Sequence, residues 1–253
     1  EAIQVSDLDH DGDLDVVVAN DQLDILYNNG DGTFDTTFSY IVGYESISAI
    51  AHDINNDGYA DVLSGTYGGT VTAMLNEQDG TFSAEPRLPA GDYSSAICTG
   101  NFDGDSYPDF AVSNSSDDNV CVYIGNGDKT FQTQVCYPVG YNNYALRSAD
   151  LNKDTFDDLI VVDTALTVLL ANGDGTFASA VSYTCPGTSN NELAQQFDIA
   201  DIDGDGNLDV AVACYYDVQI LLGNGDGTMQ AAVEYDLGTA PSSIAIADMD
   251  NDG

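Results

Sequence analysis

An aspartate-rich window returns six times along the chain, beginning at positions 7, 53, 101, 150, 201 and 248. The steps between successive windows are 46, 48, 49, 51 and 47 residues. Self-similarity at this period restricts the chain to a repeat architecture, in which each unit buries its apolar face against its neighbours. The windows read DLDHDGDLD from Asp7, DINNDGYAD from Asp53, NFDGDSYPD from Asn101, DLNKDTFDD from Asp150 and DIDGDGNLD from Asp201. The sixth, DMDNDG from Asp248, is partial. A second marker keeps phase with the first: NGDGTF from Asn29, EQDGTF from Glu77, NGDKTF from Asn126, NGDGTF from Asn172 and NGDGTM from Asn224.

Between the markers lie short apolar runs bounded by turn residues, the pattern of an antiparallel meander. In the second repeat they span Ser46–Ala51, Val62–Gly65, Thr70–Leu75 and Phe82–Leu88. No apolar period of 3.6 persists, so almost no helix is expected. Four strands per repeat and at least five repeats predict an all-β fold, a β-propeller of four-stranded antiparallel blades. Asn-Gly and Asp-Gly supply the positive φ of tight hairpins, and the Phe that follows either packs between blades or simply completes the hairpin. The chain reads as a single propeller domain or fragment over residues 1–253, with repeats starting near 7, 53, 101, 150 and 201 and a partial repeat from 248.

Within each window, oxygen-bearing side chains stand at positions one, three and five, and an Asp closes position nine. A calcium ion takes six to eight oxygens at about 2.3–2.6 Å, from carboxylates and backbone carbonyls, and a loop with ligands at every second residue wraps it. Position seven varies (Asp13, Tyr59, Tyr107, Phe156, Asn207), as a residue offering only its carbonyl would. About five Ca²⁺ ions are therefore expected. An EF-hand is excluded, because position twelve is Val18, Ser64, Val112, Val161 or Val212 rather than a bidentate Glu, and strands replace the flanking helices.

Charge distribution supports metal over general surface adaptation. The 43 acidic residues face four basic ones, Arg87, Lys129, Arg147 and Lys153, for a net charge of −39. About half of the acid falls in the windows, and Glu occurs only six times, whereas a solvated acidic surface draws on both acids. So few cations exclude nucleic acid as a partner. No apolar run is long enough for a membrane span. The five cysteines show no Cys-x-x-Cys spacing. Cys121 and Cys136 lie symmetrically about a predicted turn at Asp128 and Lys129, so they either form a disulfide or remain buried thiols. The two histidines sit in or beside windows, His10 within the first and His52 before the second, without an evident nucleophile, and no enzyme is expected.

The D-x-D-x-D-G-x-x-D windows and N-G-D-G-T-F turns resemble the FG-GAP and VCBS repeats, the calcium-binding propeller repeats also found in integrin α-subunits. That resemblance implies five ligand sets: Asp7, Asp9, Asp11 and Asp15; Asp53, Asn55, Asp57 and Asp61; Asn101, Asp103, Asp105 and Asp109; Asp150, Asn152, Asp154 and Asp158; Asp201, Asp203, Asp205 and Asp209. The third and fourth depart from the pattern, with Asn101 in place of the first Asp and Ser106 or Thr155 in place of Gly, which implies weaker binding. Family propellers commonly carry seven blades, so a fragment of a larger propeller is expected; a five-bladed ring closed by strand exchange and an open arc are the other arrangements.

Three functions follow. The first is an extracellular or cell-surface module for adhesion or scaffolding that recognises protein or glycan, secretion being expected because millimolar calcium suits sites of this kind. The second is a self-assembling subunit of a surface layer or filament, and the third a non-catalytic propeller accompanying a hydrolase or lyase. In resembling propellers the metal loops join the first two strands of a blade, which leaves Tyr44, Tyr67, Tyr93, Tyr141, Tyr144, Tyr215 and Tyr216 in connections on the opposite rim. There they either contact a partner or cap blade ends. One glycosylation sequon, Asn114-Ser115-Ser116, is expected in a connection.

Overall fold

The computed structural model describes residues 2–35, 37–85, 87–141, 145–163, 165–184, 196–214, 216–239 and 241–249. Among them there are 21 strands and no helix, and none of them forms a helix able to cross a membrane. The strands form five antiparallel sheets in simple sequential order, one per repeat. Blade one holds β1 (Ala2–Ser6), β2 (Asp15–Ala19), β3 (Leu23–Leu26) and β4 (Phe38–Tyr40). Blade two holds β5 (Ser46–His52), β6 (Asp61–Thr66), β7 (Thr70–Asn76), β8 (Phe82–Ala84) and β9 (Leu88–Pro89). Its fourth strand is thus two short pieces that both pair with β7, where the sequence predicted one run. Blade three holds β10 (Ser94–Gly100), β11 (Asp109–Asn114), β12 (Asn119–Tyr123) and β13 (Val135–Pro138). Blade four holds β14 (Ala145–Ala149), β15 (Asp158–Val162), β16 (Ala165–Leu169) and β17 (Val181–Thr184). Blade five holds β18 (Gln196–Ala200), β19 (Asp209–Ala213), β20 (Asp217–Leu221) and β21 (Val233–Asp236).

Two compact units result, one of residues 1–101 and 105–136, the other of residues 102–104 and 137–253. In the first, Leu8, Val17, Ile25, Val62, Met74 and Phe82 form a core between blades one and two. Leu63, Val71, Leu75, Phe110, Val112 and Tyr123 form another between blades two and three. In the second unit, Ile160, Val168, Phe197, Val210, Val212 and Met229 fill the space between blades four and five. Each large apolar side chain so buried contributes about 1.5–3 kcal/mol. The second strands β6, β11, β15 and β19 are buried at every position, and in β6 neighbouring residues serve two cores, Val62 the one with blade one and Leu63 the one with blade three. The outer strand β21 is exposed throughout, and its Glu and Asp suit a solvated edge.

The aromatic that ends the hairpin marker packs between blades at Phe82 and at Phe177, which meets the Tyr137 ring, as does Met229 in the same position, while Phe34 stays 44% exposed. Cys121 and Cys136 form a disulfide. Cys98 and Cys214 are buried, and Cys185 lies outside the described residues. The sequon requires correction. Asn114 ends β11 with no exposed surface, and its amide donates to Asn119 Oδ1 at 2.9 Å, so it offers no surface acceptor for a glycan.

Candidate metal centres

Every window occupies the connection from first to second strand, and register fixes its mouth. The position-nine aspartate pairs with the last residue of the first strand in all five blades: Ser6 with Asp15, His52 with Asp61, Gly100 with Asp109, Ala149 with Asp158 and Ala200 with Asp209. Position two turns inward and anchors the loop. Leu8, Ile54, Phe102 and Leu151 are buried, whereas Ile202 is 40% exposed. Positions one, three and five are half-buried or exposed in every loop.

The position-nine carboxylates are almost wholly buried. Oδ2 accepts the position-two N–H in four loops, from Leu8 to Asp15 at 2.8 Å, Ile54 to Asp61 at 3.1 Å, Leu151 to Asp158 at 3.0 Å and Ile202 to Asp209 at 2.8 Å. Oδ1 accepts an N–H from the end of the third strand or just beyond it in all five: Asn28, Asn76, Gly125, Ala171 and Gly223, at 2.7–2.9 Å. Sequence reasoning gave position nine only a ligand's role. The structure adds that it ties the loop to the third strand.

The remaining loop geometry is equally regular. Position five accepts the position-seven N–H in all five windows, from Asp13, Tyr59, Tyr107, Phe156 and Asn207, at 2.6–3.0 Å. Position one accepts the position-six N–H from Gly12, Gly58, Thr155 and Gly206. Position four has a positive φ in every loop, at His10, Asn56, Gly104, Lys153 and Gly204. Position six does so at Gly12, Gly58, Thr155 and Gly206, but Ser106 does not, and the third window departs from the others there.

Thr155, at φ 79°, holds a β-branched side chain in the left-handed region, which costs about 1–2 kcal/mol. Replacing it with Gly relieves that strain at a smaller entropic cost. Thr155→Gly is therefore expected to raise the melting temperature by about 2–4 °C, and Gly206→Thr to lower it, as thermal denaturation followed by circular dichroism would show.

Among the described residues, carboxylate oxygens converge in the first and fifth windows, at positions one, three and nine. One oxygen each from Asp7, Asp9 and Asp15 lies within 4.8 Å of the others, and the same holds for Asp201, Asp203 and Asp209. Asp7 Oδ1 and Asn55 Oδ1 are buried without a hydrogen-bond partner. Burial pushes the Asp61 carboxyl up to about 7 against the N–H groups of Asn76 and Ile54, with the charges of Asp57 and Asp53 adding to the rise. Asp158 is pushed to about 6, first by burial, against the N–H groups of Ala171 and Leu151. Asp9 and Asp15 are also raised, burial being the largest cause. The hairpin aspartates behave oppositely. Asp31, Asp128, Asp174 and Asp226 are held low, first by the hydroxyl and then by the N–H of Thr33, Thr130, Thr176 and Thr228. Hairpin carboxylates are satisfied within their own turns, whereas the five complete windows contain one basic residue, Lys153, which donates to Asn207 Oδ1. Hard oxygen donors, convergence and unsatisfied buried oxygens together fit a hard divalent cation. In the third window Asn101, Asp105 and Asp109 belong to the first unit and Asp103 to the second.

Adjacent windows also touch, through a contact that sequence reasoning missed. Position four of one loop meets position six or seven of the next. His10 stacks on Tyr59 with ring centres 4.0 Å apart. Asn56 Nδ2 donates to the Ser106 carbonyl at 2.7 Å. Gly104 lies so close to the Phe156 ring that a Cβ would collide with it. Lys153 Nζ donates to Asn207 Oδ1 at 2.7 Å. The side chain at position seven then covers a hairpin glycine in its own blade, Asp13 over Gly30, Tyr107 over Gly127, Phe156 over Gly173 and Asn207 over Gly225. These glycines, with φ of 71–74°, serve both the turn and this close approach.

The tyrosine connections lie between second and third strands or between blades, at the end of the meander away from the windows. Tyr44, Tyr67 and Tyr93 form an edge-to-face row with ring centres 6.0 and 5.2 Å apart. Tyr141 and Tyr216 are exposed, and Tyr144 and Tyr215 lie outside the described residues. So do residues 250–253 of the sixth window.

No curated protein matches the chain in sequence. Among solved structures, a lectin from Agrocybe aegerita, described for specific recognition of non-reducing terminal N-acetylglucosamine, is similar with a TM-score of 0.64 at 18% identity, over 96% of this chain and 67% of that one. The BP39L lectin from Burkholderia pseudomallei is similar with a TM-score of 0.64 at 15% identity, over 92% and 69%. BBS1N, solved in complex with ARL6DN, is similar with a TM-score of 0.60 at 12% identity, over 92% and 68%. At these identities the likeness concerns the fold, which is a β-propeller of four-stranded blades. The profile of the FG-GAP-like repeat matches residues 7–64, 53–112, 101–161, 150–212 and 201–253. With sheets, loops and repeat profile in register over nearly its whole length, the chain belongs to the FG-GAP-like repeat family.

Proposed function

We propose that this chain is an extracellular, non-catalytic binding module in which about five Ca²⁺ ions hold the windows in shape and the propeller surface recognises glycan or protein. The observation that carries the calcium reading is the first window, where Asp7 Oδ1 is buried without a partner beside the converging oxygens of Asp7, Asp9 and Asp15, and Asn55 Oδ1 is likewise buried and unpartnered in the second. Positions one, three, five and nine would hold each ion through side-chain oxygens, and position seven through its carbonyl. The bound ion supplies positive charge to carboxylates that burial otherwise destabilises.

The binding reading is supported by the likeness to two lectins and by the Tyr44–Tyr67–Tyr93 row, since tyrosine presents a rigid apolar face with a polar tip. The Cys121–Cys136 disulfide supports an oxidising compartment. His10 and Tyr59 are engaged with each other between windows, a structural employment for the one histidine within a loop. A glycan array probed with calcium-loaded and chelated protein tests the module. Selective glycan retention that weakens at least tenfold on chelation is expected. A loaded protein that retains no glycan counts against glycan recognition, and equal retention in chelator counts against the calcium dependence.

A further inference from the structure

Six residues beyond the hairpin aromatic or its Met229 equivalent, four blades carry tyrosine: Tyr40, Tyr137, Tyr183 and Tyr235. Blade two carries Leu88. Where a following blade is present, this tyrosine fills the space against that blade's hairpin. Tyr40 meets the Phe82 ring at 5.9 Å, Tyr137 meets Phe177 at 5.6 Å, and Tyr183 packs on the cluster that contains Met229. Leucine is shorter than tyrosine and has no hydroxyl. Between blades two and three a cleft of about 200 Å³ is left open, lined by Ala73, Glu85, Leu88, Lys129, Thr130 and Phe131.

The tyrosine it lacks indicates what fits. Tyr137 Oη accepts the backbone N–H of Phe177 at 3.0 Å. Phe131 holds the same hairpin position as Phe177, with the same bridge across the turn, so its N–H is directed toward the space that a tyrosine would occupy. The Phe131 ring is braced edge-to-face on Phe110 at 4.8 Å. Thr130 is committed to its own turn, accepting from Asn126 and donating to Asp128. The Glu85 carboxylate and Lys129 ammonium are not tied to any described side chain by a hydrogen bond or ion pair. The cleft thus offers an aromatic wall, an apolar floor, one directed N–H, one acceptor and one cationic donor.

We propose that this cleft binds a single pyranose, the terminal residue of an uncharged glycan. Its ring would lie against Phe131 where tyrosine lies in the other interfaces, one hydroxyl oxygen would accept from the Phe131 N–H, and other hydroxyls would reach Glu85 and Lys129. The volume is below the roughly 300–1,000 Å³ of drug-sized sites, which suits one sugar unit. A net charge of −39 disfavours anionic sugars. The proposal rests on the glycan-binding reading above and assigns it a place.

Saturation-transfer NMR of the calcium-loaded protein with glucose, galactose, mannose, N-acetylglucosamine and, separately, phenol tests it. At least one sugar is expected to give signal. Leu88→Tyr, which restores the filling used elsewhere, is expected to abolish that signal while leaving the melting temperature equal or higher. Lys129→Ala, an exposed turn substitution, is expected to weaken binding at least threefold without changing the fold. Sugar binding unchanged in both variants overturns the cleft and leaves glycan recognition standing. No sugar signal from the wild type overturns the cleft whatever the array shows, and glycan recognition fails with it only if the array is also blank. Signal from phenol alone overturns the sugar assignment.

Discussion

Excess chelator at pH 7.5 is expected to lower the melting temperature of the calcium-loaded protein by about 15 °C or more. A site with a dissociation constant near 10⁻⁴ M, in about 1 mM calcium, contributes roughly 1.4 kcal/mol. Five such loops sum to about 7 kcal/mol, and each kcal/mol moves the midpoint of a chain this size by about 2–4 °C. The pH dependence should also invert. In the metal-free protein Asp61 and Asp158 titrate near 7 and 6, above the 3.8 of an ordinary Asp. The folded state then holds more protons than the unfolded chain between about pH 4 and 7, so metal-free stability falls as pH rises through that window. With calcium saturating, protons compete with the ion and stability rises over the same range. Melts at pH 5 and 7.5, with calcium or chelator, therefore give lines of opposite slope. A chelated protein that gains stability towards pH 7.5 would sink the reading of these carboxylates.

The second large effect separates holding an ion from holding the blade. Asp61→Ala removes the acceptor for the buried N–H groups of Ile54 and Asn76. At about 1–3 kcal/mol for each donor left unsatisfied, the loss is expected to be roughly 3–5 kcal/mol, and to persist in chelator. Asp57→Ala, at a more exposed position that accepts only the N–H of Tyr59 two residues on, is expected to cost little in chelator and to lose its share of the calcium stabilisation. Urea titrations of both variants with and without calcium measure the difference. Equal behaviour of the two in chelator would show that position nine does not carry the frame.

Much of the fold was legible because its two markers are local. The windows mark the turn from first to second strand and the hairpins the turn from third to fourth, so strand number, strand order and the absence of helix in the described residues follow from spacing. The division of the second blade's outer strand into Phe82–Ala84 and Leu88–Pro89 was not legible, since the run reads as continuous. Asn114 was misplaced because a sequon reads as surface, whereas here the asparagine is the buried last residue of a strand. The dual role of position nine depends on backbone N–H groups 7 and 13–16 residues away, which a ligand pattern does not reveal. The contacts between windows join residues about 50 positions apart, which periodicity aligns but does not bring into contact. Leu88 did leave a signal in the sequence. Reading the five repeats against one another at the sixth residue past the hairpin aromatic, rather than searching only for what they share, isolates it.

The junctions between loops also bear on how such arrays can be rebuilt. An imidazole lies on a phenol at one joint, an amide reaches a carbonyl at the next, a bare backbone admits a benzyl ring at the third, and an ammonium meets an amide oxygen at the fourth. Each repeat is therefore fitted to its own neighbour. Transplanting the fifth behind the first would set Asn207 against His10, and transplanting the fourth behind its own copy would drive Phe156 onto Lys153. Units that look interchangeable by their shared motif are ordered by their mismatched edges.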